Sequence, residues 1–377
     1  MKLLKNIILG QILLILGGCI TQFIPELSEN VEMLVVEGML TDQPGGAKVK
    51  LSRSLPLGSQ DDALPVWGCS VWLTDDLTNT IFFSELGNGV YTSDFVGEIG
   101  KKYVLHINTN TAMQRGNSYQ SYPMELKPVP PVDSIYYEKK LMKTGGGSYS
   151  YEWEGCQVLL DAHDPSNECR FFRWDFVETW EVRVPFDKAL NKICWITDNS
   201  REINIKSTAG LSGSVVSRYP VNFISNKTDR MKTKYSMLID QYSLTEDEFI
   251  YWEKLKAVSQ EVGSLYDITP AAIPNNIYCI NSPAEKVLGY FSVSAKKSAR
   301  VFIRDSFKGV PNMYSHADCI QDTIRDTNPI EGLNEYVWIL ESDMGPCQIC
   351  PYRVITNIRG CADCTVRGTN IKPLFWQ

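Results

Sequence analysis

The chain has 377 residues, 44 of them acidic and 37 basic, giving a formal net charge of -7 and a pI near 5.2. That balance excludes a nucleic-acid binder, which needs a basic face. The length exceeds what one ordinary core holds, so two domains are expected, and the aromatic content, with 9 Trp and 18 Tyr, suits β-sandwich cores and cross-strand pairs.

Residues 1–18 read as a lipoprotein signal peptide. Lys2 and Lys5 form a positive n-region, and Ile7 to Leu16 is an apolar run too short for a membrane-spanning helix. Leu16-Gly17-Gly18-Cys19 is a lipobox. The two glycines let the chain lie extended in a peptidase groove, and Cys19 supplies the thiolate that takes a diacylglycerol. Cleavage makes Cys19 the first mature residue and frees its amine for another acyl chain. One chain anchors weakly at about 0.8 kcal/mol per buried CH2, whereas two or three anchor firmly. Residues 19–30 form a lipidated tether, and no second hydrophobic stretch follows.

Residues 31–126 predict a small β-sandwich. MLVVEGML is β-branched and apolar, and DQPGG after it is a turn, because Pro presets φ and Gly tolerates positive φ. In AKVKLSRS, Val49 and Leu51 alternate with Lys48 and Lys50. VWGCSVWLTDDLTNTIFFSE predicts a hairpin around Asp75 to Asn79, and GNGVYTSDF and GKKYVLHINT predict two more strands. Residues 127–135, with Pro128, Pro130 and Pro131, form a stiff connector.

Residues 136–377 predict a larger β-rich domain with one prominent helix and a Cys-rich end. CQVLLDAHDPSNECRFFRWDF predicts two strands around a polar turn, Asp161 to Glu168, with Phe172, Trp174 and Phe176 packed and Arg173 and Asp175 on a wet face. The helix is expected over 244–262. Ser243 with Glu246 and Thr245 with Glu248 form overlapping capping boxes, and Phe249, Trp252, Leu255, Val258 and Val262 an apolar stripe. VLGYFSVSAKKSARVFIRD predicts a hairpin around Ala295 to Ser298, and NIKPLFWQ an aromatic tail that tucks into the domain.

Of the 11 cysteines, Cys19 is assigned to lipid. The remaining even number suits disulfides in an exported protein. Cys347, Cys350, Cys361 and Cys364 are the leading candidates, and Cys156 with Cys169 could bridge neighbouring strands. Nested pairing, 347 with 364 and 350 with 361, suits a hairpin, but connectivity is open. Structural metal on Cys347, Cys350, Cys361 and Cys364 is the alternative. Cys69 fits a buried thiol. The sequence carries no G-x-S-x-G elbow, H-E-x-x-H, P-loop or G-x-G-x-x-G. His106, His163 and His316 have no telling context, so no catalytic residue, no cofactor and no enzyme activity is expected.

LVVEGMLTDQPGGAKVKLSRS, GCSVWLTD, PPVDSIYYE, FFRWDFVETWE, YSLTEDEFIYWEKLK, NSPAEKVLGYFSVS and GCADCTVRGTNIKPLFW, in that order behind a lipobox, resemble domain-of-unknown-function family 4249, a family of Bacteroidetes lipoproteins. The resemblance spans the mature chain and implies lipid anchoring in the outer membrane, on its outer or periplasmic face. It also implies a TonB-dependent β-barrel receptor as partner. The expected function is a non-enzymatic accessory or ligand-capture lipoprotein for such a receptor. The alternative is a stand-alone surface adhesin for glycans or peptides, and an envelope hydrolase stands third.

Overall fold

The computed structural model describes residues 32–376 apart from 56–60, 110–115, 145–150, 188, 190, 261–272, 305, 317, 326–337 and 344–351. The fold is mostly β. Two sheets form the N-terminal sandwich. In the first, Leu34–Leu40 and Ala47–Arg53 pair antiparallel and continue through Val90–Ser93 to Ser84–Gly87. Their turn closes where the Gly46 N–H donates to the Gln43 carbonyl at 3.0 Å, with Gly45 at a φ of 74°. The second sheet runs Ser118–Ser121, Lys102–Asn108, Ser70–Asp75, Thr80–Phe82. Asp75 fixes its tight hairpin by accepting from the backbone N–H groups of Leu77 and Asn79 at 3.0 and 2.8 Å.

Period-2 alternation sets the inner faces. Val36, Val49 and Leu51 pack with Leu73, Leu105 and Ile107, all buried, while Lys48 and Lys50 stay outside. The same apolar cluster runs on into Leu160, Phe172, Trp174 and Ile239 of the C-terminal half, so one core crosses the 127–135 connector. The connector itself is bonded: the Gln241 Nε2 donates to the Pro130 carbonyl and the Ser243 Oγ to the Lys127 carbonyl, both at 2.7 Å.

Both N-terminal sheets also take an edge strand from far along the chain. Ile277–Cys279 pairs with Ser118–Ser121, and Val287–Val293 pairs in parallel with Leu34–Leu40 over seven residues. This corrects the hairpin expected over 287–305. Lys296–Ile303 pairs instead with Tyr235–Ser243 in another sheet, and the bend between them is held by the Ser294 N–H on the Leu40 carbonyl and the Lys296 N–H on Asp42 Oδ1. Parallel neighbours need a long crossover, which residues 41–286 supply. Gly289 is required there: its φ is 92°, and a Cβ would stand 2.0 Å from the Val36 carbonyl oxygen.

The C-terminal half has a three-stranded sheet, Val132–Thr144, Tyr151–Asp164 and Ser214–Ser225. A second sheet contains Ile193–Asn199, Phe171–Arg183, Tyr235–Ser243 and Lys296–Ile303, with Asn204–Ser207 beside Phe171–Arg183. The strands flanking the 161–168 turn therefore sit in different sheets, which leaves Cys156 and Cys169 buried without a bond between them. A third sheet, Gln321–Arg325, Tyr352–Thr356 and Trp338–Asp343, lies near the C-terminus. The tail is anchored by Trp376, which is buried with its ring centroid 6.5 Å from Trp195 and 6.0 Å from Phe302.

Candidate functional site

The helix spans Glu246–Gln260, and Thr245 caps it by accepting from the Glu248 N–H at 3.3 Å. Ser243 closes the strand Tyr235–Ser243, and its hydroxyl donates to the Lys127 carbonyl. Residues 246–248 supply three acids where the helix dipole is positive. The inward face runs through Glu248, Tyr251, Trp252 and Leu255, with Tyr251 and Glu248 the most deeply buried. Phe249 and Val258 from the expected stripe are half-buried, and Val262 lies outside the described residues.

This face covers the outer side of the first N-terminal sheet. Strand register puts Tyr290, Glu37 and Lys50 in one cross-strand row and Ser292, Met39 and Lys48 in the next. Between these rows and Tyr251, Trp252 and Leu255 of the helix lies a cleft of about 380 Å³. Tyr251 meets Tyr290 with centroids 4.8 Å apart. Glu37 is engaged by Lys50 at 3.5 Å, both half-exposed.

Arg173 enters the cleft from Phe171–Arg183 and is only 4 % exposed. This corrects the wet face expected for it: the helix lies over that side of the strand. Its guanidinium carbon sits 4.3 Å from the Trp252 centroid and 4.7 Å from that of Tyr242, two cation–π contacts. One terminal nitrogen donates to Asp175 Oδ2 at 2.9 Å, while the buried Nε has no hydrogen-bond partner. The same arginine, Trp252 and Tyr242 wall a second cleft of about 470 Å³ that contains Asp175, Arg201 and Asp240.

Glu248 lies behind this wall, fully buried. Burial pushes its carboxyl up to about 7, against smaller downward pulls from Ser292, Arg173 and Trp252. The Trp252 Nε1 donates to Glu248 Oε1 at 3.3 Å, and Oε2 is left without a partner. The junction therefore stores buried polar groups that the fold does not fully match, beside an aromatic, cation-bearing cleft.

The candidate disulfide cysteines near the C-terminus lie elsewhere. Cys364 is bonded to Cys194 and Cys361 to Cys319. This corrects the nested pairing with Cys347 and Cys350, since both partners come from distant strands and loops that local spacing does not reveal. With their sulfurs in disulfides, Cys361 and Cys364 have no thiolates for zinc, which corrects the four-cysteine metal alternative. Cys19, Cys347 and Cys350 lie outside the described residues. Cys69 is half-buried and its thiol is raised by burial.

The histidines are apart in the fold and locally engaged. His106 stacks on Trp72 with centroids 5.1 Å apart and meets Thr74 Oγ1 at 2.8 Å. His163 Nδ1 lies 2.7 Å from Asp133 on the neighbouring strand. His316 packs edge-on against Tyr314. Arg173, Tyr251, Tyr290, Ser292, Lys48 and Lys50 were not singled out as a site by sequence. The available signal was an arginine inside an aromatic strand, FFRWDF, and a lysine pair on a strand whose other face is core.

A β-rich protein with an aromatic, cation-bearing cleft and covalent staples at its C-terminal end is the class these features define. A family model described as a domain of unknown function, DUF4249, matches residues 20–300, and the chain belongs to that family. No curated protein matches the chain. The matched span contains the helix and the strands of both cleft walls; the cysteines of the staples, Cys194 apart, lie beyond it. Among the described residues no helix is long and apolar enough to cross a membrane.

Proposed function

We propose that this protein is a non-enzymatic lipoprotein of the outer membrane, held through Cys19, that captures a ligand in the cleft beneath the Glu246–Gln260 helix and serves a TonB-dependent β-barrel receptor. The observation that carries the capture reading is the under-satisfied Arg173, in contact with the Trp252 and Tyr242 rings and lining a 380 Å³ cleft. That volume falls in the range of small-molecule sites, about 300–1,000 Å³. The lipobox supports the anchor, and disulfides at Cys194–Cys364 and Cys319–Cys361 suit an oxidising compartment. The family resemblance supports the receptor. Co-purification from native envelopes in mild detergent tests the partnership: a TonB-dependent barrel is expected among the recovered proteins, and recovery without any barrel protein overturns it.

A stand-alone adhesin is the second reading. It is favoured by large apolar side chains left outside on the N-terminal half, Trp67 at 66 % and Phe82 at 71 % exposure. Binding to a glycan or peptide array, retained in the absence of any receptor, would select it.

A further inference from the structure

We infer that the cleft beneath the helix selects a ligand that joins a flat apolar group to a carboxylate. The inference rests on the capture reading above and goes on to name the ligand chemistry.

Charge comes first. Three cationic side chains, Lys48, Lys50 and Arg173, and one acid, Glu37, line the cleft. Glu37 is already engaged by Lys50. Cation therefore remains in excess at Lys48 on the rim and Arg173 at the inner end. Asp175 meets one edge of the Arg173 guanidinium, but its side chain is 43 % exposed, so this contact is screened by water. The unmatched Nε is itself buried, so a ligand meets the part of the guanidinium that lines the cleft; its neighbouring acids are the exposed Asp175 and the buried Glu248, whose ionisation burial disfavours, and further negative charge is favoured there. The Trp252 and Tyr242 ring centroids lie 4.3 and 4.7 Å from the guanidinium carbon, and the planar fork of Arg173 favours a planar acceptor such as carboxylate.

The apolar part follows from the walls. Tyr251, Trp252 and Tyr290 present rings, and Leu255 and Met39 aliphatic surface. Such walls take a flat hydrophobic body, and offset or edge-to-face ring contacts contribute about 0.5–1.5 kcal/mol each beyond burial. A free small acid and the C-terminus of an aromatic-ending peptide share this chemistry.

Titration calorimetry on the mature chain tests it with two probe pairs: indole-3-acetate against indole-3-acetamide, and a short peptide ending in Phe with a free against an amidated C-terminus. Each carboxylate form that binds is expected to do so at least about tenfold more tightly than its amide, because a charge-assisted pair is lost. Preference for the indole pair assigns a small acid, and preference for the peptide pair assigns a chain end. Leu255→Trp, which fills the cleft from the half-exposed helix face, is expected to abolish binding, and Lys48→Ala with Lys50→Ala to weaken it several-fold. Equal binding of acid and amide, binding that survives Leu255→Trp in a folded variant, or no binding of either carboxylate at about 1 mM overturns the inference. If a barrel receptor still co-purifies in that case, the capture partnership stands and only the ligand chemistry falls.

Discussion

Two parts of the C-terminal half reach back across the chain, and they are held by different means. Val287–Val293 joins the N-terminal sandwich through a parallel ladder with Leu34–Leu40, and Val287, Tyr290, Phe291 and Val293 are buried there. The end of the chain is instead tied covalently, Cys364 to Cys194 across 170 residues and Cys361 to Cys319 across 42. Its local apolar cluster is small, Ala189 and Ala362 with Val184 and Phe186 packed against them. A strand that buries large side chains needs no crosslink. A segment whose own apolar cluster is small gains, beyond the burial of Trp376, from a bond that restricts the unfolded chain. The ladder also shapes the cleft, because Tyr290 and Ser292 belong to it, whereas the disulfides lie at another place in the fold.

Substitutions can break this comparison from either side. The largest effect is expected from Gly289→Ala, which places a Cβ against the Val36 carbonyl at a positive φ. Strain and clash together predict a loss of about 4 kcal/mol in denaturant unfolding, with the N-terminal sandwich and the cleft disturbed together. Replacing Cys319 by Ala, which opens its bond to Cys361, should cost about 3 kcal/mol, and hydrogen exchange should rise around residues 352–376 while Leu34–Leu40 stays protected. Loss of protection in Leu34–Leu40 on that change would erase the distinction between ladder and staple.

Glu248 gives a smaller effect with a defined pH window. Its carboxyl is raised from 4.5 to about 7, so the unfolded chain ionises first and stability falls as pH rises between these values. The contribution is fully present below about pH 4.5 and lost above about pH 7. Glu248→Gln should remove this slope, raising stability by up to about 3 kcal/mol at pH 8 and changing little at pH 4. A slope that persists in the variant would assign it to another group. The smallest effect is expected from Lys50→Ala, whose half-exposed pair with Glu37 contributes under about 0.5 kcal/mol to stability; thermal melts at low and high salt check it.

Local chemistry was legible where the partners are close in sequence. The Asp75 hairpin, the DQPGG turn, the Thr245 cap and the inward Val49 and Leu51 follow from turn residues and period-2 alternation. The apolar strands after 286 were also visible as strands. Their destination was not, because alternation says which side chains are buried and nothing about which sheet receives them. Arg173 was misread for the same reason: the helix that covers it lies more than 70 residues later in the chain. The partners of Cys361 and Cys364 are non-local too, and spacing within CQICPYRVITNIRGCADC could not supply Cys194 or Cys319.

Lipid anchoring through Cys19, as proposed, would hold the folded body on a membrane outside the reducing cytosol, and Cys19 is where that proposal can be measured. Mass spectrometry of the N-terminal peptide from protein purified out of native envelopes is the direct test. The predicted result is a peptide beginning at Cys19 and carrying a diacylglyceryl group with a further acyl chain. A peptide that retains residues 1–18, or a Cys19 that bears no lipid, would contradict the account.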